Sequence, residues 1–414
     1  MNIAIYLQSL CEGKGGAEKV ACQVAGLFAS DGHSVTIFHK PSEKPPGYPL
    51  HEAIKLVGLT LADPPALLEY RGQFDVAIGF AMQPIYVGIA TFADLLDAPF
   101  VIQECTNPAR MIALMLVNRQ EGVSTLAEAF WTRQSVLAHA AGIRVTLPSY
   151  RETILPEMRP HCLAFPNSFF IDTDNVAEYE KRARQIVCVG GLKTHNKNGL
   201  ALLEAFVDSG LGEHGWKVVF CGRNNSIEEF AELAAQAPDG SVIDRGVVED
   251  PHEIYGDAQI LVIPSFEEGL PNVVVEAFSF AIPAIGFSDC PGVNELIADG
   301  ERGFLVDRSS PNSLCEALTE LASDNPLRSR MSETAARYAK ATFDSRQFSD
   351  NWRKLVANAA AGNDTEGNSS RPIAYRNNAL SRATRTMIRA DLFDPATNSQ
   401  SKSDESEKLL RIAS

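Results

Sequence analysis

Apolar positions along this chain alternate between two periods. Residues 3–7 form a short apolar run of strand length, and Val20, Val24, Leu27 and Phe28 then recur at helical spacing within residues 16–30. Asp31-Gly32 closes that helix, and residues 34–38 read as the next strand. Short β-rich runs follow at 75–78, 100–103 and 144–147, with helical stretches between them. The same alternation restarts at 185–189 and continues through 217–221, 241–244, 260–263 and 283–287. Repeated β-α alternation predicts α/β units in which helices cover both faces of a parallel sheet. Two such doubly wound domains are expected, over residues 1–166 and 184–344, joined by a linker at 167–183. A helix at 345–359 is expected to pack back and complete the first domain. Past residue 362 the composition shifts to Asn, Ser, Asp, Thr and Arg, which predicts a mostly disordered tail over 362–414.

A length of 414 residues exceeds what one hydrophobic core usually holds, and an apolar content of 45% is ample for two. No run of about eighteen apolar residues occurs, so no membrane-spanning helix is expected. The chain enters its first strand without a basic leader or a small-residue cleavage site, which predicts a cytoplasmic protein. Eight cysteines are scattered without CxxC spacing and read as small buried hydrophobes in a reducing compartment. A formal charge of −15 argues against nucleic acid as a partner. The eight histidines contain no HxxxH or HxH pair, and no metal site is expected.

The stretch Ser265-Phe266-Glu267-Glu268-Gly269-Leu270-Pro271-Asn272-Val273-Val274-Val275-Glu276-Ala277 is the most informative. The apolar run at 260–263 ends at Pro264 and Ser265, and Gly269 and Leu270 turn the chain. Pro271 suits the first helical position, because its missing N–H would be unpaired there. The helix that follows would turn its unpaired N–H groups and positive dipole end toward the strand ends, a site for phosphate. Glu268 precedes that helix, and Glu276 lies within it among Val273, Val274, Val275, Ala277, Phe278 and Phe280. A carboxylate in such surroundings needs a partner or a ligand. Two acceptor-only groups beside an anion site suit the hydroxyls of a sugar joined to a phosphate. Taken singly, Glu268 also fits a residue that complements the helix dipole. The loop Gly13-Lys14-Gly15-Gly16 lies between strand and helix, and reads either as a tight turn or as backbone brought close to an anion. Its spacing is neither a dinucleotide fingerprint nor a P-loop.

The two glutamates inside EEGLPNVVVEAFSFAIPAIG, with seven residues between them, resemble the signature of glycosyltransferase family 4. That family comprises retaining nucleotide-sugar transferases of the GT-B fold, in which two Rossmann-like domains face a central cleft. Residues 1–6 with Gly15-Gly16-Ala17-Glu18 resemble its first strand and glycine loop, and residues 187–190 with Lys197 its phosphate-binding strand and loop. Residues 218–222, 246–255 and 303–306 fall where the family places recurrent strands and turns, so the resemblance spans residues 1–355. It implies transfer of a hexose-type sugar from a nucleoside diphosphate to an acceptor hydroxyl, in surface polysaccharide or glycolipid synthesis. The implied partners are a nucleotide-sugar donor and a carbohydrate or lipid-linked carbohydrate acceptor, with no metal or other cofactor. Glu276 would hold the ribose hydroxyls and Glu268 the donor-sugar hydroxyls. Lys197, Gly15, Gly16 and the helix start at Gly269, Leu270, Pro271 and Asn272 would stabilise charge on the leaving diphosphate. Glu268 and Lys197 are the catalytic candidates.

Two elements depart from the family pattern. A Gly-Arg-Leu sequence is replaced by Gly190-Gly191-Leu192, and Lys197 stands one residue later than usual. Lys193 or Arg223 is then left to supply a second cation. Glu104, in Gln103-Glu104-Cys105-Thr106-Asn107-Pro108, resembles part of a Ser-Glu-Arg-Asn-x-Pro element from a branch that builds surface glycans. It reads either as part of a helix-capping cluster or as a donor- or acceptor-facing residue. Two alternatives share the fold: a nucleotide-sugar 2-epimerase, and a non-catalytic partner of another transferase. In the tail, Leu380, Thr384, Met387, Ile388 and Leu392 share one side of a helix drawn through 378–393, with Arg382, Arg385 and Arg389 on another. Such a segment either binds nothing or makes peripheral contact with the anionic inner face of a membrane.

Overall fold

A computed structural model describes residues 1–11, 15–81, 85–117, 125–168, 171, 179–190, 192, 196–222, 228–310 and 312–367. Two compact units divide the chain: Met1–Pro166 together with the chain from Arg346 onward, and Asn167–Ser345. In the first unit, β1 (Asn2–Tyr6), β2 (Ser34–Phe38), β3 (Lys55–Val57), β4 (Val76–Ala81), β5 (Phe100–Glu104), β6 (Gly142–Val145) and β7 (Cys162–Ala164) form one sheet. Their order is β3-β2-β1-β4-β5-β6-β7. In the second, β8 (Gln185–Val189), β9 (Lys217–Cys221), β10 (Val242–Gly246), β11 (Ile260–Ile263), β12 (Ala284–Phe287) and β13 (Gly303–Val306) run in the order β10-β9-β8-β11-β12-β13. The described strand pairs are all parallel. Each sheet grows outward in one direction and then reverses, between β1 and β4 in the first unit and between β8 and β11 in the second. That is a doubly wound sheet. Inner strands such as β4 and β11 are buried along their whole length, which is why they appear in the sequence as unbroken apolar runs.

The strand β6 begins two residues before the run read at 144–147. Gly142 has no side chain to register in an apolar pattern, and its bareness is structural: a Cβ there would lie 2.9 Å from Leu355 Cδ1. Pro148 then starts the helix Pro148–Arg151 and ends the strand early. The three-residue strands β3 and β7 lie at sheet edges and were too short to stand out. The helix Ser345–Ala361 belongs to the first unit, where Trp352 packs 5.9 Å from the Phe165 ring and 6.3 Å from Phe80. The described residues run to 367, into the stretch 362–414 expected as a mostly disordered tail. Thr365 gives both its N–H and its hydroxyl to the Pro160 carbonyl, at 2.9 and 2.8 Å, and two donors on one acceptor pin this stretch to the unit. The basic segment at 378–393 lies outside the described residues. Among the described residues no helix is long and apolar enough to cross a membrane.

Candidate active site

In an open doubly wound sheet, ligands bind beyond the carboxyl ends of the strands where the order reverses. In the second unit that point lies between β8 and β11, and the loops leaving these two strands carry Lys197 and Glu268. Gly190 follows β8 with φ +133°, a backbone state that disfavours other residues, and the stem of Lys197 runs over it, 3.1 Å from where a Cβ would sit. Lys197 Nζ donates to Glu268 Oε1 at 2.6 Å, with side-chain exposures of 28% and 13%. The neighbouring Asn196 stitches the same loops together. Its side-chain amide donates to the Glu267 carbonyl at 2.6 Å, and its own carbonyl accepts from the Phe266 N–H at 2.8 Å. A third loop closes on the turn through Gly292 (φ +79°), where a Cβ would sit only 2.3 Å from the Gly269 carbonyl oxygen.

The helix after this turn is Asn272–Ser279, and Pro271 is its N-cap rather than its first residue. Its ψ of 94° is extended, so the helical turn starts one position later than the proline rule suggested. The Pro271 carbonyl accepts from the Val274 and Val275 N–H groups at 2.9 and 3.4 Å. No side chain caps this end, and Asn272 Oδ1 is buried with no partner among the described residues. Leu270 is buried beside it. Glu276, one turn in, is half-buried and accepts a 3.1 Å hydrogen bond from the Tyr255 hydroxyl at Oε2. Tyr255 is wholly buried, with its ring 5.5 Å from Phe280. Burial first, and then the Glu276 charge, hold its phenol well above the ordinary tyrosine range, so it remains a donor. Nearby Cys290 is pushed the same way by burial and then by Glu268, which keeps it an inert thiol.

The first unit treats its candidates differently. Gly15 is the N-cap of the helix Gly16–Ser30, and a Cβ on it would collide with the Glu18 carboxylate at 2.2 Å. Glu18 is itself buried in the first turn and accepts from Ser9 Oγ at 2.6 Å. Glu104 does not face an open site. Its side chain is fully buried, and the Arg133 guanidinium grips both oxygens, at 2.6 and 2.7 Å. Tyr86 adds a hydrogen bond at 2.5 Å. Burial opposes the Arg133 charge, but Glu104 outweighs it and raises the guanidinium above its usual range. This is a closed core pair, which corrects the expectation of a donor- or acceptor-facing residue. Gly13, Lys14, Gly191, Lys193 and Arg223 lie outside the described residues.

The structure therefore brings Lys197, Glu268, Gly269, Leu270, Pro271 and Asn272 together at one strand-end crevice, with Glu276 a turn further along. It also adds Asn196, Tyr255 and Gly292, which sequence reasoning missed. None of these three has a telltale spacing, and Tyr255 simply ends the short helix Pro251–Tyr255 before β11. Chemically the cluster offers an ammonium and an open helix end for phosphate, and two carboxylates as acceptors for hydroxyls. Among the described residues, no group of three or more His, Cys, Asp or Glu is placed to hold a metal ion.

Comparison with known proteins agrees with this architecture. Residues 183–324, which carry the cluster, match the family model described as glycosyl transferases group 1. Among individual proteins, the chain is similar to a Campylobacter jejuni alpha-1,4-N-acetyl-D-galactosaminyltransferase that acts on an undecaprenol-linked glycan. The two are 29% identical over 183 residues, or 44% of this chain and 50% of that protein. The chain spans about half the length of the curated relatives it matches. Sucrose-phosphate synthase from Thermosynechococcus elongatus superposes with a TM-score of 0.64 at 14% identity, over 87% of this chain and 99% of that one. HepE from Anabaena, solved with UDP and glucose, gives 0.62 at 13% identity, over 86% and 99%. These likenesses are of fold, and that fold is GT-B.

Proposed function

We propose that the protein is a retaining glycosyltransferase that moves a hexose-type sugar from a nucleoside diphosphate to an acceptor hydroxyl, in surface polysaccharide or glycolipid synthesis. The observation that carries this reading is the convergence of Lys197, Glu268 and the uncapped helix end at the reversal of the second sheet, with Glu276 one turn beyond. Glu276 receives the ribose hydroxyls and Glu268 the donor-sugar hydroxyls. Lys197 and the N–H groups at Asn272 take up charge as the bond from sugar C1 to the phosphate oxygen breaks. The acceptor oxygen bonds C1 on the same face, and its proton passes to the departing phosphate. No metal enters this scheme, since the cation and helix terminus supply the positive charge. The UDP and glucose bound by HepE support a nucleoside-diphosphate hexose as donor, and the undecaprenol-linked acceptor named for the C. jejuni relative supports a lipid-linked acceptor at a membrane surface.

A panel of nucleoside diphosphate sugars, screened by thermal shift and then by nucleotide release, tests the reading. Stabilisation by one donor, with release that depends on an acceptor and product of retained configuration, is expected. Isomerised nucleotide sugar formed without acceptor would instead identify an epimerase. Stabilisation by none of the panel would overturn the reading.

A further inference from the structure

We infer that Tyr255 is a positioning residue that sets the Glu276 carboxylate for the ribose of the bound nucleotide, an inference that rests on the ribose role proposed for Glu276. Glu276 projects, half-buried, from a helix of eight residues whose buried positions are Val274, Val275, Ala277, Phe278 and Ser279, with the Ser279 hydroxyl donating to the Val275 carbonyl at 2.9 Å. One partner of the carboxylate comes from outside this helix. Tyr255 reaches it from a different element, the end of the helix Pro251–Tyr255, and its 3.1 Å hydrogen bond fixes Oε2. The phenol cannot swing away. Its ring is fully buried and lies 5.5 Å from Phe280, which directly follows the helix that bears Glu276. One packed unit thus holds both donor and acceptor.

The chemistry of the pair suits the task. A phenol donates one hydrogen bond and leaves the carboxylate its negative charge, so Glu276 remains an acceptor for sugar hydroxyls. A cation in the same place would lock the carboxylate into an ion pair, as Arg133 locks Glu104. Buried, with its proton held tightly beside Glu276, Tyr255 remains a donor throughout the working pH range. Orientation is then fixed before the nucleotide arrives, and preorganisation of this kind lowers the cost of binding.

The test is calorimetric titration of the wild type and Tyr255→Phe with uridine, guanosine and adenosine diphosphates and their 2′-deoxy forms. The substitution keeps the ring and removes only the hydroxyl. For the ribonucleotide that binds, Tyr255→Phe is expected to weaken affinity about tenfold, as loss of a hydrogen bond to a charged group does. Affinity for the 2′-deoxy form, which keeps only the 3′-hydroxyl for Glu276, should fall less, so discrimination between the two sugars narrows. Equal weakening of both forms would show that the hydroxyl only supports the fold, and unchanged ribose discrimination would show that Glu276 needs no positioning. Either result overturns the inference. If Tyr255→Phe fails to fold, Glu276→Gln replaces it, because the amide keeps an acceptor for Tyr255 while losing charge. It should likewise narrow the ribose preference, and an unchanged preference would overturn the inference. Wild-type protein that binds none of the six nucleotides would instead overturn the proposed function, and the inference with it.

Discussion

Each unit carries a glutamate at or just beyond the carboxyl end of an inner strand, Glu104 on β5 and Glu268 after β11, and the two are used in opposite ways. Glu104 is sealed in the core, gripped on both oxygens by the planar guanidinium of Arg133 and touched by Tyr86. Glu268 is partly open and accepts a 2.6 Å hydrogen bond from the ammonium of Lys197. Both pairs are short, but they differ in what a ligand can do to them. A bidentate fork buried with its carboxylate has no reason to exchange partners. A point charge on a flexible stem at a crevice can leave a carboxylate for a diphosphate, which carries more charge. A strand-end carboxylate is therefore not a ligand site by position alone. The kind of cation facing it, and how far water can reach the pair, decide its role.

Breaking the closed pair should have the largest effect. Arg133→Met or Glu104→Gln strands a buried charge or its partners, and is expected to lower stability by about 3–5 kcal/mol in chemical denaturation. A loss below about 1 kcal/mol would mean that the first unit's pair is not the locked element described. The open pair should behave in reverse, with a modest effect on stability and a large one on chemistry. Lys197→Ala is expected to reduce turnover about 10²-fold or more, because the leaving diphosphate loses a charge-assisted contact. A reduction under about threefold would assign that role to another cation.

The comparison sharpens within the second unit. Glu276→Ala should weaken binding of the free nucleoside diphosphate, since the ribose is common to donor and product. Glu268→Ala should act mainly on reaction with the intact sugar donor. Binding of free nucleoside diphosphate by both variants at wild-type strength would refute the ribose assignment.

The smallest expected effect concerns a third ion pair, Arg353 on Asp31 at 2.7 and 2.9 Å. A hydrogen bond from Arg353 holds the Asp31 carboxyl below its ordinary value of 3.8. A depressed folded-state value means that the contribution is complete above that ordinary value and is lost as pH falls through the lower, folded one. Unfolding curves of Arg353→Ala should therefore match the wild type closely at neutral pH and converge with it fully in acid, since an exposed pair contributes little.

Much of this is legible in the sequence, and the exceptions have physical causes. Strands β8, β9, β11 and β12 and the turn around Glu268 announce themselves because buried parallel strands read as apolar runs, and because Gly269-Leu270-Pro271 punctuates the chain. β6 was displaced because Gly142 adds nothing to an apolar pattern while admitting Leu355. Glu104 was misplaced because a motif records residue order and not the guanidinium that arrives from the helix Leu126–His139. Tyr255 and Asn196 went unseen for a related reason. Each works through long-range hydrogen bonds, Tyr255 donating to Glu276 and Asn196 donating to the Glu267 carbonyl and accepting from the Phe266 N–H, and local spacing does not encode such bonds.

A crystal structure with a bound nucleoside diphosphate sugar tests most directly the claim that the open carboxylates of the second unit, and not Glu104, hold the donor. The expected result places the ribose hydroxyls on Glu276 and the phosphates at the Asn272 helix end, with Lys197 Nζ transferred from Glu268 to a phosphate oxygen and the Glu104–Arg133 pair unchanged. A donor bound elsewhere, with Lys197 still on Glu268, would contradict it.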